Sequence, residues 1–423
     1  MGRKKLVTNL KVYLNQSLVG HLKKQSDNSI EFSYDSKWVE SGFPISLSLP
    51  FVNRPYRGSE AAFYFDNLLP ENRVILESIA RKFGAESTNQ FDILSSVGRD
   101  CVGALSFYPE NETAQEFKRM NARALTSSDV AKKIKSLSGH FPLGMEDGDF
   151  KISLAGAQEK MALLYWDQKW WEPLKATATS HIIKRPIGKI LGGIDFNDSV
   201  ENEWLGLNIA KQLGVRTCEA EIVNFESEKA LSVTRFDRFW KEGLLFRVPQ
   251  EDFCQALGHS PSLKYERDGG PGLAEVMKLL KTSNNSEVDR KNLFTLAMIN
   301  DLLHNTDGHS KNISIYLSKR GFVLTPFYDI MSAHFLKGSA SERHAKLRSS
   351  WSVDGKYYYK DIKLSDWKKQ AGLCDLGDAE FESIWENIKA NFKGVSIKNK
   401  LIDPKLIELI LEGVEDRMKF LES

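Results

Sequence analysis

His304-Asn305-Thr306-Asp307-Gly308-His309-Ser310-Lys311-Asn312 is the stretch on which the reading of this chain turns. An Asp followed five positions later by an Asn has the D-x-x-x-x-N spacing of a phosphoryl-transfer loop. The chemistry explains the pair. One carboxylate must orient an attacking hydroxyl and accept its proton, while an amide oxygen can ligate Mg²⁺ without adding negative charge beside phosphates. A carboxyl of ordinary pKa, near ~3.9, is already ionised at neutral pH. Asp and Asn are also common in turns, so the loop needs companions elsewhere in the chain.

Two companions occur, one on each side. Downstream, strand-like Phe322-Val-Leu324 leads into Thr325-Pro-Phe-Tyr-Asp329-Ile330, and Asp329 stands where a second metal-binding acid is required. Upstream, Lys184 ends the apolar strand His181-Ile-Ile-Lys184 as a phosphate-pairing lysine would; the competing reading is a strand-end surface lysine. No G-x-x-x-x-G-K-[ST] occurs, which argues against a P-loop nucleotidase, and no G-x-G-x-x-G occurs either. Small residues in Ile152-Ser-Leu-Ala155-Gly156-Ala157-Gln158-Glu159-Lys160 would let backbone N–H groups approach phosphate oxygens, with an ordinary strand-joining turn as the alternative.

Composition bounds the rest. Over 423 residues, 58 Lys and Arg face 56 Asp and Glu, a formal net charge of +2 that excludes a grossly basic nucleic-acid coat protein. The length predicts two or three domains. Four dispersed cysteines form neither a CxxC pair nor a disulfide framework, and no 18-residue apolar run occurs, so a cytoplasmic protein is expected. Alternating residues around Leu10–Leu14 and Ile30–Tyr34 predict strands, and the stripe Val74, Leu76, Ile79 predicts a helix. Val97 to Leu105 reads as a return to strand. Residues 110–150, polar around one amphipathic helix (Val130, Ile134, Leu137), read as a linker. A helix near 200–213, strands at 219–224 and 230–235, and helices at 287–304, 378–393 and 403–421 complete the pattern.

Ser153-Leu-Ala-Gly-Ala-Gln-Glu-Lys160, His181-Ile-Ile-Lys-Arg-Pro186, Thr234-Arg-Phe-Asp-Arg238, Pro249-Gln-Glu-Asp252, Lys264-Tyr-Glu with Asp268-Gly-Gly-Pro-Gly272, Asp307-Gly-His-Ser-Lys-Asn312 and Thr325-Pro-Phe-Tyr-Asp-Ile330 closely resemble the HipA family of bacterial serine/threonine kinase toxins. Pro44–Pro50, Asp66–Glu71 and Gly98–Ala104 are similar to the family's N-terminal region, so the likeness runs from about residue 6 to at least 335. It implies an α+β architecture: a two-lobed protein-kinase-like catalytic fold with an N-terminal α+β module over 1–147, an ATP-binding lobe over 148–238 and a mostly helical lobe over 239–423.

The resemblance also implies roles. Asp307 would be the catalytic base, and Asn312 and Asp329 would hold Mg²⁺. Lys184 would pair with ATP phosphates, which the loop Ala155, Gly156, Ala157, Gln158, Glu159 and Lys160 would cover. Thr234, Arg235 and Phe236 would form the adenine hinge with Asp237 beside it; the family's best-known member has Glu where Thr234 stands. Ser153 matches an autophosphorylation site, and a phosphoserine's added charge of about −1.5 to −2 would repel triphosphate there. Glu203 is a candidate partner for Lys184 or a solvated helix residue. His309 and Lys311 either meet the acceptor or γ-phosphate or shape the loop. The implied partners are a HipB-like helix-turn-helix antitoxin dimer, operator DNA through that complex, and a protein substrate, glutamyl-tRNA synthetase. Rival readings are a small-molecule or lipid kinase and a catalytically silent co-repressor scaffold.

Residues 337–369 carry nine Lys/Arg against four acids, interleaved with Trp351, Tyr357, Tyr358, Tyr359 and Trp367. They read either as a contact patch for nucleic acid or an acidic partner, or as a solvated face.

Overall fold

The computed structural model describes residues 7–112, 120–137, 160–189, 195–336 and 346–423. Two compact units emerge. One comprises Met1–Arg185, Val223–Ser262 and Tyr316–Arg320, the other Pro186–Ile222, Leu263–Ile315 and Gly321–Ser423.

The first unit opens with an antiparallel sheet of β1 (Asn9–Leu14), β2 (Ser17–Lys24), β3 (Ile30–Tyr34), β4 (Tyr56–Arg57) and β5 (Leu105–Pro109), in the order β4-β3-β2-β1-β5. Alternation puts Leu10, Val12, Leu22, Ile30 and Phe32 on one face, where they bury against Phe65, Phe91, Leu94 and Phe107. Helices Ser59–Asp66, Arg73–Phe83 and Gln90–Val97 supply that cover. The expected strand over Val97–Leu105 is corrected: the helix ends at Val97 and the ladder starts only at Leu105. The intervening turn holds Asp100, fully buried, in an ionic cluster.

A second sheet contains β6 (Ala122–Leu125), β7 (Lys160–Trp166), β8 (Lys169–Pro173) and β9 (His181–Lys184). After a short pair, β10 (Gly188–Lys189) and β11 (Asp195–Phe196), it is completed by β12 (Ala220–Phe225) and β13 (Glu228–Thr234), in the order β12-β13-β9-β7-β8-β6. The linker reading of 110–150 is corrected here. β6 pairs with β8, and helix Ser127–Ser136, started by a Thr126–Asp129 capping box, buries Val130 and Ile134 against Met161, Leu163 and Ile183. The sheet therefore begins before residue 148; polar loop composition hid a four-residue edge strand.

The first unit also buries Glu251 completely. Burial is the main cause that pushes its carboxyl up to about 8, against hydrogen bonds from Ser46 and the Leu47 N–H that pull the other way. The folded value lies above the unfolded one, so this stability is full below the unfolded pKa and is lost as pH rises through the folded pKa. The wild-type melting midpoint is expected to fall between about pH 5 and about pH 8, and Glu251→Gln to flatten that fall. Identical pH slopes in the two proteins would sink the assignment.

The second unit is mainly helical: Ser199–Gln212, Leu273–Leu280, Ser286–Leu302, Leu364–Leu373, Asp378–Phe392 and Pro404–Glu422. From Leu293 onward helix Ser286–Leu302 is buried all round, with Leu293, Phe294, Leu296, Met298 and Ile299 each at most 2% exposed, while Val288 in its first turn is exposed. Its end is tied by Asp301, which accepts from Arg417 Nε and Trp367 Nε1 at 2.6 Å each.

Candidate active site

Helix Ser286–Leu302 delivers the catalytic-type loop. It ends in a Schellman turn, with His304 N–H donating to Asp301 O (3.0 Å) and Asn305 N–H to Asn300 O (2.8 Å). The left-handed residue is His304, at φ 53°, where glycine is usual. Its ring stacks on Tyr359 (4.3 Å, 9°), contact that a glycine could not make. Asn305 then bridges: its Nδ2 donates to Asn300 Oδ1 (3.0 Å), and its Oδ1 accepts from the Asp307 N–H (3.2 Å). A Cβ on Gly308 would lie 2.5 Å from Asn300 Nδ2, so a side chain there would have to displace the amide that accepts from Asn305.

These bonds present Asp307 outward, with 60% of its side chain exposed. Tyr265 Oη donates to its Oδ1 at 2.6 Å, and His309 Nε2 lies 3.3 Å from the same oxygen. Protein crowding on the inner side disfavours ionisation most strongly. His309, the Tyr265 hydroxyl and the charge of Lys264 outweigh it and hold the carboxyl below its ordinary value. Asp307 is therefore an anion at neutral pH. Asn312 Nδ2 donates to Asp307 O (2.9 Å), which turns its amide oxygen away from the loop backbone.

The Asp329 segment is locked to the same neighbourhood. Ser332 Oγ donates to Leu303 O (3.0 Å), and the Ala333 N–H to the same carbonyl (3.1 Å). Asn202, on helix Ser199–Gln212, exchanges two hydrogen bonds with the Ser332 backbone (2.8 and 2.7 Å). A Cβ on Gly206 would meet Ile330 O at 2.2 Å, so this helix packs backbone-close on the residue after Asp329. Asp329 itself has φ 57°. Glu203 on that helix is 1% exposed, which rules out the solvated-face alternative. An amide oxygen and a carboxylate are hard donors suited to Mg²⁺, which takes one or two protein oxygens and completes its shell with phosphates and water. Asn312 and Asp329 fit that role.

In the first unit, Lys184 and Lys160 are direct cross-strand partners on β9 and β7, 5% and 6% exposed. Direct cross-strand partners project from the same face of a sheet, so the two lysines leave this ladder side by side and neither lies open to solvent. The surface-lysine alternative for Lys184 is thereby removed. Of the hinge residues, Thr234 is exposed and bonds His181 Nε2 (3.2 Å), while Phe236 O accepts from Tyr316 Oη (2.9 Å). Arg235 and Asp237 are buried and paired to each other at 2.6 Å. Arg238 joins Asp237 (2.6 Å), and Arg247 joins Asp100 (2.6 Å). The Arg235 and Asp237 side chains are thus committed to the interior, leaving backbone groups for a nucleotide. Ser153 and the loop Ala155, Gly156, Ala157, Gln158 and Glu159 lie outside the described residues.

His309 and Lys311 are 2% and 6% exposed, and His309 packs edge-on against Tyr265 at 4.9 Å, as loop-shaping residues do. Of the two readings of residues 337–369, the described part favours the solvated face. Trp351, Tyr359 and Trp367 are core residues, at most 4% exposed. Lys356 pairs with Asp366 (2.8 Å), Lys369 with Asp354 (2.9 Å) and Lys368 with Asp378 (3.0 Å). Charge counting along the chain could not show that those cations are matched. Sequence reasoning gave no role to Tyr265, Asn300, Asn305 and Asn202; Tyr265 within the Lys264-Tyr-Glu motif and Asn305 within the loop stretch were the visible signals among them.

Comparison with known proteins identifies the family and the fold. A profile described as the HipA-like C-terminal domain matches residues 152–395, and one for the HipA N-terminal domain matches residues 10–108. A candidate kinase of Sinorhizobium fredii, Y4mE, is 32% identical over 329 residues, covering 76% of this chain and 77% of its own. The serine/threonine-protein kinase toxin HipA of Shewanella oneidensis is 27% identical over 371 residues, covering 84% and 82%. A solved structure of Shewanella oneidensis HipA with HipB and operator DNA superposes with a TM-score of 0.77 at 23% identity, covering 97% of this chain and 96% of that one, and so shares the fold. Fold and relatives together define a serine/threonine protein kinase with an α+β kinase-like architecture. More closely, the chain belongs to the HipA family.

Proposed function

We propose that this kinase is a toxin that transfers the γ-phosphoryl group of ATP to a serine or threonine hydroxyl of a protein, with glutamyl-tRNA synthetase as the target. The observation that carries the reading is the Asp307 loop: a carboxylate, open to solvent, on a backbone braced by Asn305 and Asn312. Asp307 would orient the acceptor hydroxyl and take its proton as the new P–O bond forms; a loose transition state asks little basicity of it. Lys184, beside Lys160, would bind the phosphates and orient the terminal one. Asn312 and Asp329 would hold Mg²⁺, which when bound neutralises charge on the phosphate oxygens. Backbone groups from Thr234 to Asp237 would meet adenine.

A HipB-like helix-turn-helix dimer would neutralise the toxin and carry it to operator DNA in the cytoplasm. The solved relative is bound to HipB and operator DNA, which supports this partner. The near-neutral charge of this chain and the matched cations around Lys356 accord with DNA binding borrowed from such a partner. No helix among the described residues is long and apolar enough to cross a membrane. Ser153 would be the site of silencing self-phosphorylation. The test is label transfer from γ-labelled ATP to purified glutamyl-tRNA synthetase, with Ser153→Ala alongside. The synthetase is expected to be labelled by both proteins and the kinase chain by wild type only. Label on small alcohols instead of the synthetase would favour the small-molecule kinase.

A further inference from the structure

Lys264-Tyr265-Glu266 and the glycine-rich turn after it stand out in the sequence, yet nothing above gives them a chemical task. Tyr265 Oη donates to Asp307 Oδ1 at 2.6 Å, and His309 Nε2 approaches the same atom at 3.3 Å. No described residue places a donor on Oδ2, and the side chain is 60% exposed. A carboxylate anchored through one oxygen has its terminal torsion set, and its other oxygen then faces a defined direction. We infer that Tyr265 is a positioning residue, pinning Asp307 Oδ1 so that Oδ2 is presented to the acceptor hydroxyl. This rests on the reading of Asp307 as the base.

The alternative is a movable gate, in which the phenol mimics an acceptor and must leave before catalysis. The surroundings of Tyr265 oppose it. Its ring is packed edge-on against buried His309 and covered by the Arg267 guanidinium at 4.5 Å. Its carbonyl accepts from the N–H groups of Asp268 and Gly270, both at 3.0 Å. The neighbouring Glu266 carboxylate accepts from Ser352 N (2.6 Å) and Oγ (2.8 Å). Pro271 O accepts from Ser310 Oγ (2.8 Å) and Trp351 Nε1 (3.1 Å). The segment is thus clamped both to strand Arg348–Val353 and to the catalytic-type loop itself. Such a mount holds a hydroxyl in place; it does not release one.

The two readings predict opposite signs for Tyr265→Phe, which removes the hydroxyl and keeps the ring. ADP formation from MgATP would be followed with the full chain, beside wild type and Asp307→Asn. Positioning predicts that kcat falls about ten- to a hundredfold, while KM for ATP stays within about twofold. ATP-binding stoichiometry is expected to be unchanged, which separates the loss from a smaller folded fraction. Tyr265→Gln, which supplies an N–H donor without the ring, is expected to turn over faster than Tyr265→Leu of similar size. A Tyr265→Phe protein as fast as wild type or faster, with Asp307→Asn inactive, would overturn the inference and leave the base in place. Turnover retained by Asp307→Asn would remove both.

Discussion

Asp307→Asn is expected to lower phosphotransfer by about 10³-fold or more, within the range set by losing a positioned general base. The amide has the carboxylate's shape but cannot take the acceptor's proton. Its fold should survive, because the loop bonds at this residue are made by its backbone: the N–H to Asn305 and the carbonyl from Asn312. Tyr265 can donate to the amide oxygen as it does to the carboxylate. ATP affinity, measured by calorimetry, should therefore change little while label transfer disappears. The broadest form of the experiment compares the phosphoproteomes of cells expressing wild type and Asp307→Asn. Phosphotransfer within tenfold of wild type would take Asp307 out of its role.

Asp301→Ala should cost about 3–5 kcal/mol of stability. Its carboxylate is 1% exposed and receives Arg417 Nε and Trp367 Nε1, so alanine strands a guanidinium in the interior. The damage should reach the site through a short path. Arg417 Nη1 donates to Tyr359 O (2.7 Å), and Tyr359 Oη donates to Asn305 O (2.9 Å), the residue that braces Asp307. Denaturant unfolding would measure the loss, and turnover at low denaturant would show whether the loop loosens first. Adding Arg417→Met removes the stranded charge, so the double variant is expected to be less destabilised than the two single changes summed. A single-variant loss below about 1 kcal/mol would show that Asp301 is dispensable to the core.

Much of this molecule was readable without coordinates, and the reasons are particular. Helix Ser286–Leu302 and strand His181–Lys184 announce themselves by apolar pattern, and Asp307, Asn312 and Asp329 by spacing. Short-range signals of that kind are local properties of the chain. β6 escaped because a four-residue edge strand carries too few residues to show alternation. The aromatic stripe from Trp351 to Trp367 misled because the same residues suit a surface platform or a core, and only burial tells them apart.

The chain by itself determined the kinase class, through its likeness to the HipA family, and the Asp-x4-Asn spacing with the order Lys184, Asp307, Asn312 and Asp329, because these are local matters of residue type and interval. Tertiary structure alone decided what surrounds them. It buried Lys160 against Lys184 and sent Arg235 and Asp237 into the interior. It also brought Tyr265, 42 residues away in sequence, onto Asp307. Such pairings depend on three-dimensional packing between distant segments, which leaves no periodic trace along the chain.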